Sequence, residues 1–313
     1  MSPTFADVVS AAERIRDKIH RTPVVTSSRL NELAGCELFL KCENLQKAGA
    51  FKARGAVNAV FSLDQSSLSA GIATHSSGNH GAALARAAQL RGIDAHIVVP
   101  SNAKTVKKAA IAAYGGRVIE CEPTLAAREA LLAKVVIETG ARVIHPYDDK
   151  DIVAGQGTAA LELFEQVTDL DAVVVPVGGG GLIAGTCLVA AVYEVDVIGA
   201  EPTGADDTFR SLRDGNRVLH QVPNTICDGL LTIVGELNFE LIQQHLQQIL
   251  LADDKAVINA MALIWSRTKM VVEPSAAIAL AVVLQHPEMF ADRRIGLMMT
   301  GGNVDLATLP FTS

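Results

Sequence analysis

Asp171-Ala-Val-Val-Val-Pro-Val-Gly-Gly-Gly-Gly-Leu-Ile-Ala-Gly185 is the stretch that decides how this chain folds. Val173 to Val177 is apolar and β-branched, interrupted only by Pro176, which is the pattern of a buried strand nearing its end. Gly178, Gly179, Gly180 and Gly181 then remove every side chain, and Leu182 to Val192 resumes with helix formers. A strand, a glycine turn and a helix start make an anion site: backbone N–H groups close on a phosphate at the positive end of the helix dipole. The turn holds no Lys or Arg, so backbone would do the binding. The alternative is a tight turn without a ligand, but four glycines in a row cost chain entropy unless something needs close backbone approach.

Strands and helices alternate on both sides of this stretch. Strands are expected over Cys36–Lys41, Gly71–His75, Ala95–Val99, Arg117–Cys121, Arg142–His145, Val195–Ala200 and Ile295–Met299. Helices are expected over Phe5–His20, from Ser27 or Ser28 to Ala34, and over Ala82–Arg91, Lys104–Tyr114 and Thr124–Thr139. Others are expected from Gly155-Gln-Gly157 to Val167, and over Phe239–Gln247, Asp254–Thr268 and Pro274–His286. That rhythm implies a parallel, doubly wound α/β sheet with ligands at the carboxyl ends of its strands. With 313 residues, 49% hydrophobic, the chain can fill one large domain or two lobes. The net charge of −7 argues against nucleic acid as a partner. The apolar runs are too short for a membrane span. Met1-Ser-Pro-Thr-Phe-Ala-Asp7 lacks the basic-then-apolar order of a secretory signal. The five cysteines are scattered, as in a reduced cytoplasmic protein.

Several corners between elements carry candidate chemistry. Lys52 lies among Gly49, Ala50, Ala53, Gly55 and Ala56, where small neighbours let another group approach the amine and burial would lower its pKa toward nucleophilic use. Arg54 reads as a structural ion-pair partner. Ser76-Ser-Gly-Asn-His-Gly81 follows a strand and opens a helix, a place that favours a carboxylate, although N-capping by Ser77 or Asn79 explains it equally. Glu201-Pro-Thr-Gly-Ala-Asp-Asp207 gathers acidic oxygens at a strand end, suited to Mg²⁺ or Ca²⁺ or to a solvated turn. Met270-Val-Val-Glu-Pro274 places one carboxylate in an apolar setting, and Thr300-Gly-Gly-Asn303 is again small and polar. A phosphate cradle, a carboxylate cradle and a lysine together suit pyridoxal phosphate acting on amino acids. A NAD-binding Rossmann oxidoreductase competes, because Gly179-Gly-Gly-Leu-Ile-Ala184 fits the dinucleotide pattern with Glu201 about 20 residues on. That reading leaves Lys52 and the 76–81 corner unexplained. A non-catalytic amino-acid sensor is the third class.

The chain resembles the fold type II pyridoxal-phosphate enzymes, within the serine racemase and serine/threonine dehydratase family, which includes threo-3-hydroxyaspartate ammonia-lyase. The matching segments are 43–56 around Ala-Gly-Ala-Phe-Lys, Ser-Ser-Gly-Asn-His-Gly (76–81), His-Pro-Tyr-Asp-Asp (145–149), Ala-Gly-Gln-Gly-Thr (154–158), Val-Gly-Gly-Gly-Gly-Leu (177–182) and Thr-Gly-Gly-Asn (300–303). The resemblance implies a two-lobed fold like the tryptophan synthase β chain, with open, mostly parallel sheets flanked by helices. Residues 1–65 and 150–313 would form the large cofactor-binding domain, and 66–149 a small domain closing over the site. It implies that Lys52 carries the cofactor as a Schiff base and moves the Cα proton. Phe51 would pack on the ring, Gly178 to Gly181 hold the phosphate, Asn79 bond the ring hydroxyl and Thr300 meet the pyridine nitrogen. Ser76, Ser77 and His80 would take the substrate carboxylate, Arg128 would contact substrate, and Ser77 would exchange a proton opposite Lys52. Glu201, the Ala205 carbonyl and Asp207 would bind the divalent cation.

The implied reaction is loss of water from serine, threonine or 3-hydroxyaspartate to give a 2-oxo acid and ammonia, with racemisation as the alternative, in a cytoplasmic homodimer. Tyr147 departs from the Asn that animal serine racemases carry, and His-Pro-Tyr-Asp-Asp looks more like the dehydratases and hydroxyaspartate ammonia-lyases. Ala48 and Ala50 replace the Thr and Ser common before the lysine.

Overall fold

The computed structural model describes residues 2–64, 68–76 and 78–311, with the backbone alone at Leu125. Its strands are β1 (Val24–Val25), β2 (Glu37–Lys41), β3 (Ile72–His75), β4 (Ala95–Pro100), β5 (Arg117–Cys121), β6 (Arg142–Val143), β7 (Ala172–Pro176), β8 (Asp196–Pro202), β9 (Gln248–Ala252) and β10 (Arg294–Met298). They form a six-stranded sheet in the order β1-β2-β10-β7-β8-β9 and a four-stranded sheet in the order β5-β4-β3-β6. Every strand pairing is parallel except that of β1 with β2. Helices lie against both sheets, and separate apolar clusters fill the space on either face of the larger one. β7 is buried along its whole length, which is why its residues are apolar on both faces.

All strands read from the sequence are present. β1 and β9 were not foreseen. The sequence reading carried a helix to Gln247, but the helix Glu236–His245 ends two residues earlier and Leu246 is already extended (ψ 133°). The apolar spacing of Ile242, Leu246 and Ile249 continues straight through the change from helix to strand, with no Gly or Pro to mark it. The first helix also stops short, at Ile15 instead of His20.

Gly155 and Gly157 do not open a helix. They lie inside Lys150–Gln166, which Asp149 caps by accepting from the amides of Asp151 and Ile152. A Cβ on Gly155 would stand 2.6 Å from Gly55 Cα, and one on Gly157 would stand 2.8 Å from the Gly185 carbonyl. Three helices, Lys52–Ser62, Lys150–Gln166 and Gly181–Tyr193, thus meet backbone to backbone. Glycine inside a helix costs about 1 kcal/mol, and close approach offsets it here. This packing fixes the starts of the helices that carry Lys52 and the glycine turn.

Candidate active site

Lys52 opens the helix Lys52–Ser62. The strand-like segment before it is tied to the turn after β10. Ala50 bridges Gly301, the Phe51 amide donates to the Thr300 carbonyl at 3.0 Å, and the Gly302 amide donates to Gly49 at 2.9 Å. Lys52 Nζ donates to the Pro146 carbonyl at 2.9 Å and lies 5.1 Å from the Phe51 ring centroid. Among the described residues no carboxylate pairs with it. Burial penalises the ammonium and lowers its pKa to about 8.

The glycine turn leads from β7 into the helix Gly181–Tyr193. Gly180 has φ +87°, and the first backbone bond of the helix runs from Ala184 N to Gly180 O at 2.9 Å. Among the described residues, the amides from Gly178 to Ile183 have no backbone acceptor. The turn is also crowded: a Cβ on Gly179 would fall on the Tyr147 ring, and one on Gly178 would stand 3.0 Å from Leu230 Cα. Asn238 braces the same corner by donating to the carbonyls of Gly179 (2.7 Å) and Tyr147 (3.1 Å). The glycines therefore serve packing as well as leaving amides free.

In the 76–81 corner, neither Ser77 nor Asn79 caps the helix Asn79–Arg91. Gly78 is the cap residue, and Ser76 Oγ accepts from the amides of Gly78 (3.2 Å) and Gly81 (3.0 Å). The Ser76 hydroxyl is thus occupied in holding the loop, and its remaining capacity is that of a donor. Ser77 lies outside the described residues. His80 is buried, and among the described residues neither ring nitrogen has a hydrogen-bond partner. Burial, then the charges of Lys52, His145 and His75, hold its pKa well below the usual range, so it is neutral. The Thr300 hydroxyl is likewise buried without a partner among the described residues. Asn79 donates to both oxygens of Glu273, at 3.0 and 3.2 Å, and accepts from Asn303 at 3.0 Å.

One side of the site is lined by rings. His75 and His145 meet edge to face at 6.3 Å, and His145 and Tyr147 at 4.6 Å. His145 Nδ1 accepts from the Asp148 amide at 2.8 Å, which puts its proton on Nε2. Burial, then Arg128, lowers the pKa of His75 to about 4. Arg128 is half-buried, its Nε directed at the Thr124 carbonyl (3.4 Å), and it stands within Coulombic reach of His75 and Tyr147.

Glu201, at the end of β8, and Asp207, which opens the helix Asp207–Asp214, are both fully buried. Glu201 accepts from the amides of Thr208 (3.1 Å) and Phe209 (2.8 Å), and Asp207 from Val234 N (2.7 Å) and Gln221 Nε2 (2.7 Å). Burial, then Asp207, raises the Glu201 pKa to about 8, and burial raises that of Asp207 to about 6. Ala205 lies in the buried turn between them. Among the described residues no three His, Cys, Asp or Glu side chains converge on a metal position. The set here is two carboxylates and a backbone carbonyl. With its carboxylate spent on the following helix, Glu201 is not the free ribose-binding acid that the dinucleotide reading requires.

Sequence reasoning named Glu273 and Tyr147 without giving either a place in the site, and gave no contact to Asn238. The clue for Glu273 was a carboxylate in an apolar run. The clue for Tyr147 was its departure from Asn. For Asn238 the sequence holds no signal.

A lysine with a depressed pKa, a buried hydroxyl without a partner and free amides at a helix start define the site of an α/β enzyme built for a phosphorylated carbonyl cofactor. The family model described as pyridoxal-phosphate dependent enzyme matches residues 15–301, and the chain belongs to that family. It is 50% identical over 311 residues to the beta-hydroxyaspartate dehydratase of Paracoccus denitrificans (strain Pd 1222), covering 99% of each chain. The crystal structure of serine racemase from Dictyostelium discoideum matches with a TM-score of 0.93 at 47% identity, over 98% of this chain and 100% of that one. That of T.th. threonine deaminase matches with a TM-score of 0.93 at 40% identity, over 98% and 100%. The architecture is fold type II, as the resemblance implied.

Proposed function

We propose that this protein is a pyridoxal-phosphate ammonia-lyase that removes water from a hydroxy amino acid and releases a 2-oxo acid and ammonia. The observation that carries the reading is Lys52: a buried amine with a pKa of about 8, bonded to a carbonyl and to no carboxylate among the described residues. When bound, the cofactor supplies an electron sink for negative charge at the substrate Cα. Lys52 Nζ attaches the cofactor and takes the Cα proton. Phe51 packs on the ring, the free amides of Gly178 to Gly181 hold the phosphate, Thr300 Oγ1 meets the ring nitrogen and Asn79 the ring oxygen. A neutral hydroxyl at Thr300 leaves that nitrogen unprotonated, which favours rapid loss of a β-leaving group. The 76–81 loop, with Ser76, Ser77 and His80, takes the substrate carboxylate. Arg128, with no carboxylate partner among the described residues, faces the far end of the substrate. Similarity to a hydroxyaspartate dehydratase puts 3-hydroxyaspartate ahead of serine and threonine.

Racemisation is the second reading, supported by similarity to a serine racemase and by the presence of Ser77. We also propose that Glu201, the Ala205 carbonyl and Asp207 bind Mg²⁺ or Ca²⁺, that 66–149 is the closing lobe against 1–65 and 150–313, and that the enzyme is a cytoplasmic homodimer. Among the described residues no helix is long and apolar enough to cross a membrane.

The test is the visible spectrum with an assay of 2-oxo acid and of the opposite enantiomer. A yellow band, fixed to Lys52 by borohydride and missing in Lys52→Ala, is expected. So is oxo acid from 3-hydroxyaspartate at a rate that Lys52→Ala lowers by at least about 10³-fold, the loss expected when both nucleophile and base are removed. A colourless protein after added pyridoxal phosphate, or no oxo acid from any hydroxy amino acid, sinks the proposal.

A further inference from the structure

Glu273 is the N-cap residue of the helix Pro274–Gln285, yet its side chain makes no capping bond there. It is 3% exposed, and its carboxylate turns instead to Asn79, across from the larger sheet to the helix after β3. The orientation of the Asn79 amide is set from its other end. Asn303 Nδ2 donates to the Ala48 carbonyl at 2.8 Å, a group that can only accept. The same nitrogen reaches Asn79 Oδ1 at 3.0 Å. Oδ1 is therefore the accepting end of Asn79, and its nitrogen faces Glu273. The two oxygens of Glu273 share one hydrogen of that nitrogen, which leaves the second N–H of Asn79 without a partner among the described residues. Gly301 completes the contact, because a Cβ there would stand 2.6 Å from Glu273 Oε1, and Thr300 is the next residue.

We propose that Glu273 is a positioning residue for the cofactor: by accepting from Asn79 it holds that amide with N–H, and not its carbonyl, available to the ring oxygen of pyridoxal phosphate. The inference rests on the functional reading above and deepens it. An ionised Glu273 can only accept, whereas a protonated one can donate to the Asn79 carbonyl and turn the amide round. Burial and then Asp228 raise its pKa to about 7, with the Asn79 bond and Lys107 acting against them. The grip is thus firm above neutrality and loosens below it.

The experiment removes the cofactor, adds pyridoxal phosphate back, and reads its dissociation constant and visible band alongside the melting temperature. Wild type is compared with Glu273→Gln and with the exchanged pair Asn79→Asp/Glu273→Gln. Glu273→Gln is expected to weaken cofactor binding roughly tenfold, the worth of one lost charge-assisted bond, and to move the band. The exchanged pair rebuilds the bond with donor and acceptor reversed. Its melting temperature recovers, but binding does not, because the carboxylate introduced by Asn79→Asp offers the ring oxygen no N–H. Wild-type affinity and band in Glu273→Gln, with only the melting temperature lowered, would overturn the proposal. If Glu273→Gln does not accumulate folded, the exchanged pair decides alone: affinity equal to wild type overturns the proposal and weaker binding supports it. A wild type that binds no pyridoxal phosphate overturns both this inference and the functional reading, whereas a wild type that binds with Glu273→Gln unchanged overturns this one only.

Discussion

Two clusters of ionisable side chains are buried beside the larger sheet, and they are closed in opposite ways. Around Arg54 the protein supplies both signs. Arg54 Nε and Nη2 donate to Glu43 at 2.7 and 2.8 Å, and Nη1 and Nη2 donate to Glu162 at 2.9 and 2.8 Å. Lys41 Nζ adds a bond to Glu162 at 2.7 Å. Burial opposes the charge on Arg54, but Glu43 and Glu162 more than offset it and raise its pKa. Burial likewise opposes the charge on Glu162, but Arg54 and Lys41 lower its pKa. Around Glu201 and Asp207 the two buried groups carry the same sign, with N–H donors for partners, and both pKa values rise. A buried cluster that contains its counter-charge is part of the framework, here directly behind Lys52. One that lacks it retains an unmet demand for a proton or a cation.

The largest effect should come from opening the closed cluster. Arg54→Met leaves Glu43 and Glu162 buried with only Lys41 between them, and breaking a buried pair from one side costs about 3–5 kcal/mol. Urea denaturation with the holoprotein should show that loss. A cost under about 1 kcal/mol would mean that water enters the cluster and that the contrast drawn here is false.

Arg54 also marks how far the sequence could be read. Its spacing from Lys52 and its small neighbours were enough to call it an ion-pair partner. Its partners come from residues 11 and 108 positions away, which no local pattern links. The same holds for the site as a whole. The glycine turn, Lys52 and the Thr300 corner are local signals, because strand, turn and helix start are adjacent in sequence. The fold was legible for the same reason, since alternation is local. β9 was missed where helical spacing ran unbroken into a strand. The second purpose of Gly179 was missed because Tyr147 reaches it from another element. Ser76 was given a substrate when its oxygen already serves two amides of its own loop.

The open cluster should respond to pH and to cations. Glu201 rises from 4.5 to about 8 and Asp207 from 3.8 to about 6. The native state therefore binds more protons than the unfolded chain between pH 4 and 8, and stability falls as pH rises through that window. Mg²⁺ or Ca²⁺ should raise the melting temperature at pH 8 by an amount equivalent to about 2–3 kcal/mol and have little effect at pH 5. Asp207→Asn removes one charge while Gln221 can rotate its amide to present oxygen. It should flatten the pH slope and abolish the cation response. A cation response that survives Asp207→Asn places the ion elsewhere.

The smallest effect separates charge from hydrogen bonding within the closed cluster. Thr22 Oγ1 donates to Glu43 Oε1 at 2.6 Å, where Arg54 Nη2 already donates at 2.8 Å. Thr22→Val keeps the shape and the backbone carbonyl that receives Lys41 and Gln166, and deletes only the hydroxyl. Glu43 retains its two-pronged contact with Arg54, so the oxygen is never left bare. The expected cost is about 1–2 kcal/mol, the worth of one bond to a charged acceptor. If opposite charge closes the cluster, that cost stays well below the loss for Arg54→Met, and the same denaturation series measures both. Should the two losses be equal, the count of donors around Glu43 holds the cluster shut. The amide-bound carboxylates of Glu201 and Asp207 would then be closed in the same sense, and no cation would be needed there.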